Sequence, residues 1–406
     1  MPIRTLFVNA GILGHQSVAR LVREAVQHDN ALESHHLDLS AQLSTRDRLI
    51  RRALCMRPFG AMRFRGTNLD LARWRHEYHA GLLAARRIRA LEKLGLHFDV
   101  LHFHTQPCAY ASLKRMGRTP SIVSIDATQG LASLEATSLL ERWTYRPNMV
   151  HDGLVFRQAR AIIATSKWAA DDLARSYPTC ADKLNVMPYP IKLNRFDPSW
   201  ISERYQRAEA SPNMPMTFLF IGGDFVRKGG PELLSAWRQG RFSTSARLVL
   251  VSGYDFSKID LPPGVTVRTG ISAYTNAWYD LWREADVFIM PTHGEAFGMV
   301  FQEASAAGLP SIGTRLNAIP EIVDHGISGL LIEPGHVYQL VVAMRTLADS
   351  IALRRRMGRA ARAKMERQAR PEDYSHKLCQ MIRKVASGRD CPGGGRLLAP
   401  KWGNST

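Results

Sequence analysis

Short apolar, β-branched runs alternate with longer helical stretches along most of this 406-residue chain, and the alternation comes in two series. Strands that alternate with helices are best satisfied by a parallel sheet with helices on both faces, because each parallel crossover needs a helix-length connection. In the first series the candidate strands are Thr5–Asn9, Val100–His104, Ile122–Ile125 and Ala161–Ala164. Helical stretches between them include Ser17–His28 and a long arginine-rich region before Gly95. The second series runs through strand Thr217–Ile221, helix Pro231–Arg238, strands Arg247–Val251 and Val265–Thr269, and helix Ala277–Glu284. It continues with strand Val287–Met290, helix Val300–Ala307 and strand Ser311–Gly313. The pattern predicts an α/β chain of two Rossmann-like, doubly wound domains facing across a cleft, with ligands held at the carboxyl ends of the strands.

Between the two series lies MPYPIKLNRFDPSW, punctuated by proline and lacking either period, so the linker is expected near Pro190–Asn213. The expected domains are 1–195, on the acceptor side, and 214–370, on the donor side. A helix over 371–387 is expected to return toward the first domain, and 388–406 (GRDCPGGGRLLAPKWGNST) is expected to be a disordered tail. No internal repeat at solenoid periods is visible.

Composition narrows the class. No apolar run approaches the roughly 20 residues of a spanning helix. The opening MPIRTLFVNAGILGH reads as a first strand rather than a signal peptide. Cys55, Cys108, Cys180, Cys379 and Cys391 are scattered without CxxC or Cys/His clustering, which suggests neither a zinc site nor a disulfide framework and fits a reducing cytosol. The net charge of +18 favours anionic partners: phosphorylated ligands, acidic glycans, anionic membrane surfaces or nucleic acid. Much of it lies between Arg46 and Lys93 and in a run from Arg354 to Arg370. Each run also reads as a solvated arginine-rich helix face.

Two strand-to-helix turns carry unusual residues. In FIGGDFVRKGGPELLSAW, from Phe220 to Trp237, a strand enters Gly222-Gly223 and a helix starts after Gly229-Gly230-Pro231. Glycines let backbone N–H groups approach an anion, and Arg227 and Lys228 add charge at the same spot, a combination suited to a diphosphate. In PTHGEAFGMVFQEASAAGLPSIGT, from Pro291 to Thr314, the loop His293–Gly298 enters a helix near Met299. Glu295 then precedes the helix while Glu303 lies in its first turns, so the two acids reach different parts of one extended ligand. Backbone amides at Phe297–Val300 form a helix N-terminus that favours an anion. Glu303 suits the two hydroxyls of a ribose, and Glu295 those of a sugar. Two acids stabilising a helix start is the plainer alternative.

Glu295 and Glu303, with the segment through Gly335, resemble the E-x7-E motif of retaining glycosyltransferases with the GT-B fold, group 1 or glycosyltransferase family 4. The likeness is strong over about Thr217–Gly335 and fainter over Met1–Pro198, where DVLHFH and VMPYPIKLNRFDP carry it. The resemblance implies that Glu295 contacts the hydroxyls of the donor sugar and that Phe297, Gly298, Met299 and Val300 face sugar and phosphate. It implies Glu303 on the nucleotide ribose and Lys228 on the diphosphate, with Gly222 and Gly223 lining the turn. Such enzymes need no metal, fixed cations and a helix N-terminus carrying the charge, and no D-x-D sequence is present.

Three positions depart from the family pattern. Gly223 stands where the family usually has Arg, and Arg227 is the candidate replacement. Tyr189-Pro190 replaces the usual Asn-Gly of the interdomain segment. Asp126 stands near the position often held by histidine, beside the donor sugar. In the first domain Gly11 and Gly14 flank a loop whose glycines allow close approach of a ligand. His15 reads equally as an acceptor contact or as loop packing, and Thr128 and Gln129 are candidate acceptor residues. His102 and His104 share one strand face and read as structural.

The expectation is a retaining hexosyltransferase of surface polysaccharide or glycolipid synthesis, using a nucleoside-diphosphate sugar as co-substrate and no other cofactor. Its acceptor would be a glycan or a lipid-linked sugar. The enzyme would be cytoplasmic, with the basic Arg46–Lys93 region docking on the inner face of the membrane. Two rival readings are a catalytically idle nucleotide-sugar-binding protein on the same scaffold and a nucleic-acid-binding protein, the latter motivated by charge alone.

Overall fold

The computed structural model describes residues 1–11, 13–40, 44–56, 63–64, 67–69, 71–136, 138–211 and 214–388, with backbone alone at 13–15, 55, 63–64 and 67–68. The tail expected over 388–406 lies outside the described residues beyond Gly388, as do Arg57, Arg65 and Asn213. The chain divides into two compact units, one of Met1–Pro188 with Tyr374 onward and one of Tyr189–Asp373.

In the first unit the strands are β1 (Ile3–Asn9), β2 (Leu32–Asp38), a two-residue hairpin pair β3 (Arg63–Phe64) and β4 (Thr67–Asn68), then β5 (Val100–His104), β6 (Ser121–Ile125), β7 (Ala161–Ala164) and β8 (Leu184–Val186). Six of them form a sheet in the order β2-β1-β5-β6-β7-β8, and every pair is parallel. β5, β6 and β7 are buried along their whole length, as expected of strands covered on both faces. The order reverses between β1 and β5, so the loops after these strands diverge there. The helix Pro371–Ala386 joins this unit: Ser375 donates to the carbonyl of Ala25, and Arg383 donates to the Asp29 carboxylate.

The second unit holds β9 (Met216–Ile221), β10 (Ala246–Val251), β11 (Val265–Arg268), β12 (Val287–Met290), β13 (Ser311–Thr314) and β14 (Gly329–Ile332). Their order is β11-β10-β9-β12-β13-β14, again all parallel. This is the 3-2-1-4-5-6 order of dinucleotide-binding folds, whose ligand crevice opens where the order reverses, here between β9 and β12. The two unusual turns of the sequence leave those two strands.

Two expectations need correction. The segment Pro190–Asn213 is not simply a linker: it contains a helix, Ser199–Ala210, anchored in the second unit. Its Arg204 is 1% exposed and donates to the carbonyls of Ala285 (2.6 Å), Trp282 (3.1 Å) and Ala307 (3.2 Å). The basic run from Arg354 is likewise no uniformly solvated face. In the helix Ile351–Gln368, Arg354, Arg362 and Lys364 are buried. Arg362 donates to Phe196 O and Ala306 O, both at 2.7 Å, and Lys364 pairs with Asp324 at 2.7 Å. Ala306 and Ala307 end the helix Met299–Ala306, so two buried guanidiniums satisfy its last carbonyls and complement its negative end. The positive end is left for the site.

Candidate functional site

β9 runs out at Ile221 into Gly222, and three backbone bonds close the turn: Lys228 N to Asp224 O, Gly229 N to Val226 O and Gly230 N to Phe225 O, at 2.8–3.0 Å. Glycine is required at one of these positions and favoured at another. Gly229 has φ 79°, and a Cβ there would stand 1.9 Å from the carbonyl oxygen of Pro291, the residue after β12. At Gly222 a Cβ would stand 3.0 Å from Lys228 Cγ, so its absence lets the lysine stem lie across the turn. Gly223, where the resembled family usually has arginine, has nothing within 4 Å of a Cβ and is open.

Lys228 and Glu295 meet directly, with Lys228 Nζ also 3.3 Å from the carbonyl of Gly294. Burial lowers the pKa of this lysine, and the charge of Glu295 works against that shift. Arg227 donates to Gly294 O at 2.6 Å while its Nε holds Asp224 at 3.2 Å, and its side chain is about half exposed. The loop after β12 is clasped from below by Thr292, fully buried, whose hydroxyl donates to Gly294 O (2.9 Å) and accepts from Gly294 N (3.1 Å). Asn317 (φ 51°) donates from Nδ2 to Glu295 O at 3.0 Å. None of the sequence signals pointed to Thr292 or Asn317.

Gly298, at φ 95°, is the N-cap of the Met299–Ala306 helix, and no side chain caps it. Its left-handed backbone turns the loop into the helix and leaves the first N–H groups, at Met299 and Val300, as anion donors. Phe297 is buried with its ring edge-on to Tyr189 at 5.3 Å. That contact, together with Gln302 donating to Tyr189 O at 3.0 Å, explains the Tyr189-Pro190 departure: the tyrosine packs under the loop. Glu303 is buried on the same helix. Burial pushes its carboxyl up to about 8, opposed by a hydrogen bond with Tyr274. His293 pairs with Glu232 at 2.9 Å.

The residues expected in the first unit do not gather in the same way. Thr128, an expected acceptor contact, is 1% exposed and caps a helix, accepting from Leu131 N (3.1 Å) and donating to Asp172 (2.5 Å). Its hydroxyl is therefore committed to the fold. The Gln129 side chain donates to Glu77 at 2.8 Å, and its N–H to Asp152 at 3.0 Å. Burial pushes the Asp152 carboxyl up to about 7. Asp126, at the end of β6, is half-buried. Gly14 and His15 lie in the first turn of the helix Leu13–Val26, where no side chain is described. Gly11 (φ 71°) has a packing reason: a Cβ would stand 2.1 Å from Asp38 Oδ1. His102 is structural, buried and bonded to Ser124 at 2.7 Å, with burial lowering its pKa to about 3.

Comparison with known proteins agrees with this geometry. Residues 215–350 match the family model for glycosyl transferases group 1, and residues 38–195 match that for glycosyltransferase family 4. A D-inositol 3-phosphate glycosyltransferase of Pseudarthrobacter chlorophenolicus is 27% identical over 301 residues, covering 70% of each chain. A sulfoquinovosyl transferase of Arabidopsis thaliana is 27% identical over 233 residues, 55% of this chain and 45% of the relative. Among solved structures, sucrose-phosphate synthase from Thermosynechococcus elongatus superposes with a TM-score of 0.70 at 16% identity, covering 95% of this chain and all of its own. Anabaena HepE in complex with UDP-glucose gives 0.65 at 14% identity, over 94% of this chain and 100% of its own.

Two all-parallel doubly wound units, with a basic glycine turn and an acidic turn on either side of one switch point, have the GT-B fold of the solved synthase structure, and the two family models make the chain a glycosyltransferase. Within that class, the chain belongs to the group 1, family 4 glycosyltransferases.

Proposed function

We propose that the protein transfers a hexosyl unit from a nucleoside-diphosphate sugar to a hydroxyl acceptor with retention of anomeric configuration. The observation that carries this is the Lys228–Glu295 pair beside the uncapped N-terminus at Gly298, with Glu303 buried on the helix that follows. The diphosphate would take Lys228 from its pair and accept from Arg227 and the amides of Met299 and Val300. Glu295, so released, would receive the sugar hydroxyls, and Glu303 the ribose. As the bond from the anomeric carbon to the diphosphate breaks, Lys228 and Arg227 offset the charge growing on the leaving oxygen, with no metal required. The acceptor oxygen bonds to that carbon, and its proton passes to the departing phosphate. Asp126 is the candidate first-unit contact to the donor sugar, and the first helical turn at Gly14 and His15 is the candidate acceptor side. Solved neighbours in complex with UDP and UDP-glucose support a nucleotide-sugar donor, and relatives that act on inositol phosphate support a hydroxyl acceptor. The test is the anomer formed from an isotopically labelled donor: retention is expected, and inversion overturns the assignment.

We further propose a peripheral place on an anionic membrane surface, in the service of lipid-linked or surface glycans. Among the described residues no helix is long and apolar enough to cross a membrane. The helix Thr45–Cys55, however, exposes Arg46, Arg48, Arg51 and Arg52 beside Leu49, and Met56 follows it, the last two each 61% exposed. Such a face suits the headgroup region of acidic lipids. Not all of the Arg46–Lys93 charge is available, since Arg86 pairs with Asp47 and Arg87 donates to Asp38 O. Co-sedimentation with vesicles containing phosphatidylserine is expected, and it should be lost on Arg51→Glu with Arg52→Glu. Absence of binding by the unaltered protein even at low salt would remove the idea.

A further inference from the structure

The carboxylate of Glu303 is buried, and among the described residues the Tyr274 hydroxyl is the one group whose hydrogen bond favours its charged form. Tyr274 sits in the turn between β11 and the helix Asn276–Glu284, on the carboxyl edge of the sheet, the edge that β9 and β12 also leave toward their turns. Its φ is 67°, a left-handed conformation that tyrosine seldom adopts and that persists where the surroundings over-determine it. Here they do. Thr275 donates to Ser272 O at 2.8 Å and accepts from Trp278 N at 3.4 Å, which locks the turn on both sides of the tyrosine. The tyrosine itself is half-buried, and its side chain hydrogen-bonds the buried Glu303.

A carboxyl removed from water with no cation beside it tends to hold its proton unless hydrogen bonds favour the anion. The two forms grip a diol differently. The anion accepts from both hydroxyls, whereas the protonated group must donate one of its own bonds. A hydroxyl that donates to Glu303 from the side of the turn therefore both orients the group and favours the form that accepts a ribose.

We infer that Tyr274 is a positioning residue for the donor nucleotide: its hydroxyl aims the Glu303 carboxylate at the two ribose hydroxyls. This rests on the donor-site reading above and adds to it a residue distant in sequence from both glycine turns. The experiment titrates UDP, GDP and ADP, and their 2′,3′-dideoxy forms, calorimetrically into the full chain, its Tyr274→Phe variant and its Glu303→Gln variant. Tyr274→Phe is expected to weaken the bound ribonucleotide about tenfold, to change the dideoxy form less than about twofold, and to raise the donor KM with kcat nearly unchanged. Equal weakening of ribo and dideoxy forms would mean a general packing role and overturn the inference. So would a Tyr274→Phe variant that binds normally while Glu303→Gln does not, with the donor site left standing. If the unaltered chain binds none of the three diphosphates, the donor-site reading falls and this inference with it.

Discussion

Lys228→Ala is expected to lower kcat about 100- to 1,000-fold, the scale of removing one preorganised charge from a developing oxyanion. Three features make this lysine the largest single contributor. It is 8% exposed, so its charge acts in a medium that screens poorly. Its stem lies close across Gly222, where a Cβ would stand 3.0 Å from Lys228 Cγ and crowd it. Its partner is Glu295, which among the described residues has no other ion pair and would be left in a half-buried loop, so the variant both loses a cation and strands an anion. Arg227 offers the internal comparison. It is about half exposed and already tied to Asp224, so Arg227→Ala is expected to cost only about tenfold after allowance for solvent screening. Steady-state kinetics on the two variants decides the matter; equal effects, or none for Lys228→Ala, would displace the lysine from the leaving group.

Glu303→Gln has two expected results of opposite sign. Nucleoside-diphosphate affinity should fall about 10- to 100-fold, because a buried amide cannot accept from both ribose hydroxyls as a carboxylate does. Stability of the ligand-free protein should instead rise at alkaline pH. The ordinary pKa of a glutamate is 4.5, and burial raises this one to about 8 in the folded state. The folded form therefore binds a proton that the unfolded chain has already lost. The stability linked to that proton is fully present below pH 4.5 and is lost as pH rises through about 8. Glutamine has nothing to lose over that window. Thermal unfolding of variant and parent should thus differ little near pH 4.5 and diverge by roughly 5 °C in the variant's favour near pH 8.5. A constant difference across that range would show that Glu303 does not carry the raised proton affinity. Such a cost, borne by the empty protein, is what an acid placed for a ligand incurs.

The core of both sheets was legible because its strands are short, largely apolar runs: Val100–His104 (broken by His102 and ending on His104), Ala161–Ala164 and Val287–Met290 match the expected bounds. The edges were not. β2 reads LESHHLD and is half-buried throughout, so neither alternation nor an apolar run marks it. β8 has three residues, too short for either period to register, and β14 was not among the expected strands. At the site, Lys228, Glu295, Glu303 and Gly298 could be read because a strand-to-helix turn is local and its glycines and acids are contiguous. Tyr274 and Asn317 could not, since each acts on an acid many positions away and only the folded turn brings them together. Arginine misled for a related reason. Arg204, Arg354 and Arg362 look like surface charge in sequence, yet each is buried and spent on carbonyl groups at helix ends. In the first unit Thr128, a candidate acceptor residue, also caps the helix that starts one residue later, a role visible only once that helix is placed.

On the reading proposed above, the turns after β9 and β12 form one site for a nucleoside diphosphate. Direct calorimetric titration of UDP-, GDP- and ADP-sugars into the protein tests it without knowledge of the acceptor. The account predicts one saturable site per chain for at least one of these donors, weakened at least about tenfold by Lys228→Ala. No saturable binding at millimolar donor, or binding that Lys228→Ala and Glu303→Gln both leave unchanged, would contradict it.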